Sequence, residues 1–211
     1  MTSVIIVASG NSDRFGKEDK LLSKIGNDAV IQKTCQLFLQ ENEIEKIIVV
    51  CKFEIEKHIR EVFKNNEKIV FTNGGCTRSD SVKKGLKICK TPKVLIHDGA
   101  RPFASQRLLN KILQETKRND AVVPWIPVTN TLKKINPQIQ TLNREDFIQT
   151  QTPQGFSTKI IKLAYKKSDR DDFFDDCEAV ENLKLKVRIK LVEGEISNKK
   201  ITFIEDLSPN T

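Results

Sequence analysis

Short apolar runs and helix-spaced apolar positions take turns along the first 125 residues. The runs are Val4-Ile5-Ile6-Val7 within residues 3–8, KIIVVC at 46–51 and KVLIH at 93–97. They are rich in β-branched residues and lack polar alternation, the pattern of strands buried on both faces. Shorter stretches at 69–72 and 121–124 read the same way. Between the runs the spacing becomes helical. One face carries Val30, Ile31, Cys35, Phe38 and Leu39 within residues 29–40, and another carries Ile55, Ile59, Val62 and Phe63 within 54–64. Val82, Leu86 and Cys89 mark a helix capped near Thr77 or Ser79. Ser105 caps one carrying Leu108, Leu109, Ile112 and Leu113. Strands separated by helices of about three turns predict βαβ units, a mostly parallel sheet and helices on both its faces.

The rhythm breaks after Trp125. Residues 126–152 carry Pro127, Pro137 and the short alternating stretch Thr131-Leu132-Lys133-Lys134-Ile135, which predicts a hairpin excursion. Such a hairpin has too few apolar residues to bury itself, so it is expected to pack on a second copy; a loose insertion is the plainer alternative. Helices are then expected at 157–166 and 176–183, a strand at 187–192, and a short strand running into a turn at 200–207. No linker divides the chain, which reads as one domain over 1–211.

Ligands of such sheets bind beyond the carboxyl ends of the strands, which singles out the loops at 8–20, 73–81 and 97–103. The first turns from strand into Ala8-Ser9-Gly10 and then into Arg14, Lys17 and Lys20. Small residues free backbone N–H groups for phosphate oxygens, and cations neutralise a polyphosphate. An ordinary turn with a basic surface is the plainer reading. In the second loop, Gly74 and Gly75 allow a flat base to approach the backbone, and Ser81 offers a hydroxyl. In the third, Asp98 follows a buried strand directly, a good position for Mg²⁺, while Arg101 is placed to steer a phosphate. The alternatives are a helix cap and a turn-shaping ion pair.

Composition narrows the field. The net charge is +8, yet the cations are dispersed and aromatic residues make up only 6%, which favours a small polyanion over nucleic acid. The five cysteines form no C-x-x-C pair and read as reduced thiols. No apolar run nears the roughly 20 residues of a membrane span, and the N-terminus lacks a signal's basic region, so a cytoplasmic location is expected without membrane partners. The G-x-x-x-x-G-K-[ST], G-x-G-x-x-G and G-x-S-x-G signatures are absent.

Taken in order, VIIVASGNSDRFGKEDKLL, NGGCTRSDSVKKGL, LIHDGARPF, PVTNTLKK, QTPQGF and VEGEISNKKITFIEDL resemble the methylerythritol phosphate cytidylyltransferases of the non-mevalonate isoprenoid pathway. The resemblance spans residues 4–207. It implies a Rossmann-like nucleotidyltransferase fold, a homodimer formed through an arm at 125–152, and Mg²⁺-assisted transfer of CMP from CTP to 2-C-methyl-D-erythritol 4-phosphate. It also implies roles. Arg14, Lys20 and Lys200 match catalytic cations, and Ala8, Ser9, Gly10, Gly75 and Ser81 match CTP contacts. Asp98 matches the metal carboxylate, while Arg101, Thr131, Arg144 and Thr152 match contacts to the sugar phosphate.

Several positions depart from the family's usual pattern. Ser9 stands in a loop that commonly reads A-A-G, Val7 where a proline is frequent, and Ser12 for a glycine. Cys76 replaces an acid after the glycine pair, Asn130 an acid before Thr131, and Gly99 an alanine after Asp98. Some relatives fuse this domain to a cyclodiphosphate synthase, so the chain reads either as a whole protein or as one half of a fusion. The nearest rival is a ribitol 5-phosphate cytidylyltransferase. A non-catalytic nucleotide- or nucleic-acid-binding protein is favoured only by the charge.

Overall fold

Runs and helical faces fold largely as they read. The computed structural model describes residues 1–10, 15, 19–168, 170 and 172–207. In chain order the elements begin with β1 (Thr2–Ala8), a small hairpin of β2 (Lys24–Ile25) and β3 (Asp28–Ala29), α1 (Val30–Leu39), β4 (Ile44–Cys51), α2 (Phe53–Val62) and β5 (Ile69–Asn73). They continue with α3 (Arg78–Ile88), β6 (Lys93–Asp98), α4 (Gln106–Arg118) and β7 (Ala121–Pro127). The excursion holds β8 (Leu132–Lys134), β9 (Gln140–Leu142) and β10 (Ile148–Thr150). The chain returns through β11 (Gln154–Ser157), α5 (Thr158–Lys167), α6 (Asp176–Glu181) and β12 (Ile189–Glu193).

Eight strands form the main sheet in the order β10-β7-β11-β6-β1-β4-β5, with β12 also on β7. The ladders β1–β4, β1–β6, β4–β5 and β7–β12 are parallel. In contrast, β11 runs antiparallel to both β6 and β7. Val4, Ile5 and Ile6 are all fully buried, so β1 is covered on both faces. Val4 and Ile6 pack with α1, α2 and α4, through residues such as Phe38, Ile59 and Leu109. Ile5 points the other way, toward Val82 of α3, Ile161 of α5 and Val180 of α6. Each such fully buried aliphatic side chain contributes roughly 1.5–3 kcal/mol, so a slip of one residue in β1 would exchange both layers at once.

Thr77 caps α3 by accepting the Asp80 N–H, and Ser105 caps α4 by accepting that of Leu108. Strand β11 was not anticipated. It has four residues and follows Pro153, and it is held only because β6 and β7 offer edges on either side. The strand expected at 200–207 does not form. Ile201 N–H donates to Ala100 O, and the chain then curls into a 3₁₀ turn at Ile204–Leu207. Asp206 Oδ2 induces the curl by accepting the N–H groups of Thr202 and Phe203. The excursion is a hairpin, β8 against β9, with Ile135 and Ile139 71% and 75% exposed. No helix among the described residues is long and apolar enough to cross a membrane.

Candidate active site

Strand order places β1 in the middle, with β4 leaving on one side and β6 on the other. This is the position where parallel sheets open a crevice at their carboxyl ends. The ends of β1, β4, β5 and β6 meet there around a cleft of about 600 Å³. Ala8, Ser9, Gly10, Lys20, Gly75, Asp98 and Lys200, all expected site residues, line it. Arg14 lies outside the described residues.

Asp98 is the electrostatic centre. Its Oδ1 lies 3.3 Å from Arg78 Nε, and its Oδ2 lies 2.9 Å from Lys200 Nζ and 3.4 Å from Arg101 Nε. Burial pushes its pKa up, but the pull of Lys200, Arg78 and Arg101 outweighs it and holds the carboxyl far below the usual range. Asp98 is therefore anionic at any physiological pH. Arg78 reaches on to Asp176 Oδ2 at 2.6 Å, and the fully buried Asp176 also accepts the Tyr165 hydroxyl at 2.7 Å. Burial disfavours the Arg78 charge, yet Asp176 and Asp98 raise its pKa well above the ordinary value.

Behind Asp98 the polar groups form a closed relay. Thr152 Oγ1 accepts the Asp98 N–H at 3.0 Å and gives its proton to His97 Nδ1 at 3.0 Å. His97 Nε2 then carries the ring proton and donates to Arg101 O at 3.0 Å. Burial lowers the His97 pKa to about 4, so the ring is neutral and both nitrogens are used. Lys200 is brought to Asp98 by the bond between Ile201 and Ala100, and by Asn198, whose Nδ2 donates to Thr152 O.

Some expected residues stand elsewhere. Thr152 is buried and serves the relay instead of the cleft wall. Arg101 is braced between Asp98 and Asn198 O instead of lining the cleft. Ser81 is buried, with its oxygen 3.0 Å from Gly75 N and 2.7 Å from Ser9 Oγ. Thr131 and Arg144 are exposed on the hairpin. Arg144 donates to Thr129 O and borders a separate hollow of about 490 Å³ beside Trp125 and Phe147. Arg78 escaped the sequence reading because its partners lie 20 and 98 positions away. Its place in the first turn of a helix at a strand's carboxyl end was the available signal.

Among the described residues no three His, Cys, Asp or Glu side chains gather into a metal site. A carboxylate offers about four lone-pair positions, and three of those on Asp98 are engaged by cations. The remaining one fits a hard divalent ion that takes its other ligands from phosphate and water.

The family profile described as IspD: 2-C-methyl-D-erythritol 4-phosphate cytidylyltransferase matches residues 2–210. A cytidylyltransferase of that description from Dehalococcoides mccartyi (strain 195) is 37% identical over 210 residues, covering 96% of this chain and 91% of its own. The crystal structure of 4-diphosphocytidyl-2C-methyl-D-erythritol synthase from Anaerococcus prevotii superposes with a TM-score of 0.86 at 32% identity, covering 98% of this chain and 94% of that one. The bifunctional IspDF of Campylobacter jejuni matches at a TM-score of 0.84 and 30% identity, over 99% of this chain and 53% of that one. The chain belongs to the 2-C-methyl-D-erythritol 4-phosphate cytidylyltransferase family and has its Rossmann-like nucleotidyltransferase fold.

Proposed function

We propose, from that membership, that this chain transfers CMP from CTP to 2-C-methyl-D-erythritol 4-phosphate, giving CDP-methylerythritol and pyrophosphate. The observation that carries the reading is Asp98, ionised and flanked by Lys200, Arg78 and Arg101 at the floor of a cleft walled by small residues. A phosphate oxygen of the sugar phosphate attacks the α-phosphorus. The bond to the β-phosphate's bridging oxygen breaks, and pyrophosphate leaves with the electron pair. The nucleophile is already anionic, so no general base is needed. The task is to hold two anions together in line, which is a matter of placed charge.

Lys200 and Lys20 stand on the cleft wall to offset that repulsion, and the family resemblance extends the same role to Arg14. Asp98 would hold Mg²⁺ or another divalent cation, which supplies charge neutralisation to the triphosphate when bound. Arg101 braces the Asp98 carboxylate, and the Thr152 relay holds its backbone. The arm, with exposed Ile135, Ile139, Phe147 and Ile148, supports a homodimer in which Thr131 and Arg144 reach the partner's sugar phosphate. Residues 1–211 act together as one cytidylyltransferase domain, and a cytoplasmic setting fits that reading. Pyrophosphate release is measured with CTP, Mg²⁺ and either methylerythritol 4-phosphate or ribitol 5-phosphate. Turnover with the first alone is expected; turnover with the second alone would replace the acceptor in this reading.

A further inference from the structure

Lys200 is held at the cleft by a segment with no regular structure of its own. After β12 ends at Glu193, the chain crosses 194–200 without helix or strand before Lys200 Nζ meets Asp98. The place of Lys200 therefore depends on what grips this loop from outside. Ile201 N–H on Ala100 O and Arg101 on Asn198 O grip it from the side of Asp98. A further grip comes from the foot of the arm.

Gln151 is buried, and its side-chain amide pairs with Glu195 as a neighbouring strand would. Its Oε1 accepts the Glu195 N–H at 3.0 Å, and its Nε2 donates to Glu195 O at 2.8 Å. A peptide N–H only donates and a carbonyl only accepts, so the two ends of the amide are fixed. Nε2 also lies 3.3 Å from Asn198 O, the oxygen that takes Arg101. The next residue adds to the grip, since Thr152 O accepts Asn198 Nδ2. Gly194 makes room for the amide: a Cβ built there would lie 2.4 Å from Gln151 Oε1. Through its own N–H, Gln151 is bonded to Pro124 O, beside Trp125 O, which accepts the Gly194 N–H. One buried amide thus joins β7, the foot of the arm and the loop that ends at Lys200.

We propose that Gln151 is a positioning residue for the transfer reaction: it fixes the 194–200 loop and thereby the reach of Lys200 Nζ toward the phosphates. This inference rests on the reaction proposed above. Gln151 is buried and does not line the cleft, so it acts only through the cation it places. A charge aimed at a transition state loses its value when it is displaced by even an ångström.

The test is a double-mutant cycle on pyrophosphate release by the full chain, with CTP, Mg²⁺ and methylerythritol 4-phosphate all saturating. Gln151→Met is close in volume and cannot donate to Glu195 O. It is expected to lower turnover about tenfold in the wild-type background. In a Lys200→Met background the same change is expected to cost less than about twofold, because the residue it acts through is gone. A merely structural glutamine would cost the same in both. Equal falls in the two backgrounds, or no fall in wild type, overturn the proposal. Gly194→Ala pushes the amide aside from the opposite face and carries the same cycle if Gln151→Met does not fold; loss of folding in both variants also overturns it. Hydrogen exchange at the Ile201 amide separates the proposal from the reaction it rests on. That amide is expected to exchange about tenfold faster in Gln151→Met. Faster exchange with no turnover by wild type removes the reaction and keeps the grip on the Lys200 loop. Unchanged exchange with normal wild-type turnover removes the grip and keeps the reaction.

Discussion

The cleft and the arm are built on opposite principles. At the cleft, charge is buried and closed in on itself: Asp98, Arg78 and Asp176 are bound in one chain that ends on the Tyr165 hydroxyl. On the arm, β8 and β9 pair with each other while Ile135 and Ile139 stand in solvent. The first region takes its shape from contacts that would be costly to break. The second keeps its shape with almost no apolar cover of its own. An isolated two-stranded hairpin is marginal in water, so the arm's order must draw on something beyond it. The difference separates residues whose loss weakens the fold from residues whose loss leaves the fold intact.

The hardest blow to the contrast falls on Arg78. Arg78→Met leaves Asp98 and the fully buried Asp176 without their shared cation, and removal of one partner from a buried ion network costs about 3–5 kcal/mol. Denaturant unfolding should show that loss, and a change under 1 kcal/mol would mean the cleft is as loosely held as the arm. A milder probe is acid. His97 is neutral when folded, with a pKa of about 4 against 6.5 unfolded. Its contribution is fully present above pH 6.5 and declines as pH falls toward 4, because only the unfolded chain takes up the proton. The total approaches about 3 kcal/mol. Unfolding curves of wild type and His97→Gln across pH 7 to 4 should differ in slope over that window, and parallel curves would remove His97 from the account. The smallest effect belongs to the arm. Ile139→Lys should alter monomer stability by less than about 0.5 kcal/mol. It should still shift the sedimentation coefficient toward monomer. An unchanged coefficient would place any association elsewhere.

Much of the parallel half was legible in the sequence because its strands are short apolar runs and its helices have clear faces. Asp98 was legible because a carboxylate at the carboxyl end of the buried run KVLIH stands where such sheets bind ligands, though an ion pair with Arg101 was equally open and is present. Strand β11 was not, since Gln154 and Gly155 follow a proline and owe their strand geometry to neighbours on either side. Arg78 looked like part of a helix start; its meaning lies in Asp98 and Asp176, far along the chain. Thr152 supports Asp98 from behind, a role no local pattern reveals. The turn at 204–207 replaced a strand because Asp206 supplies an acceptor that the apolar pattern does not show.

The arm's feet carry a consequence for how such a protein changes over time. β10 is laddered to β7 at Trp125, Ile126 and Pro127, and Gln151 N–H donates to Pro124 O at 2.7 Å. The next residue, Thr152, already belongs to the Asp98 relay. Both ends of the excursion are thus riveted to the sheet before the chain reaches the relay. The tip between Thr131 and Arg144 is a cassette. Doubling the length of a flexible loop costs only about 0.6 kcal/mol, so this segment can be exchanged or extended cheaply while the catalytic frame is inherited intact. A lineage can revise the tip there without reopening the cleft.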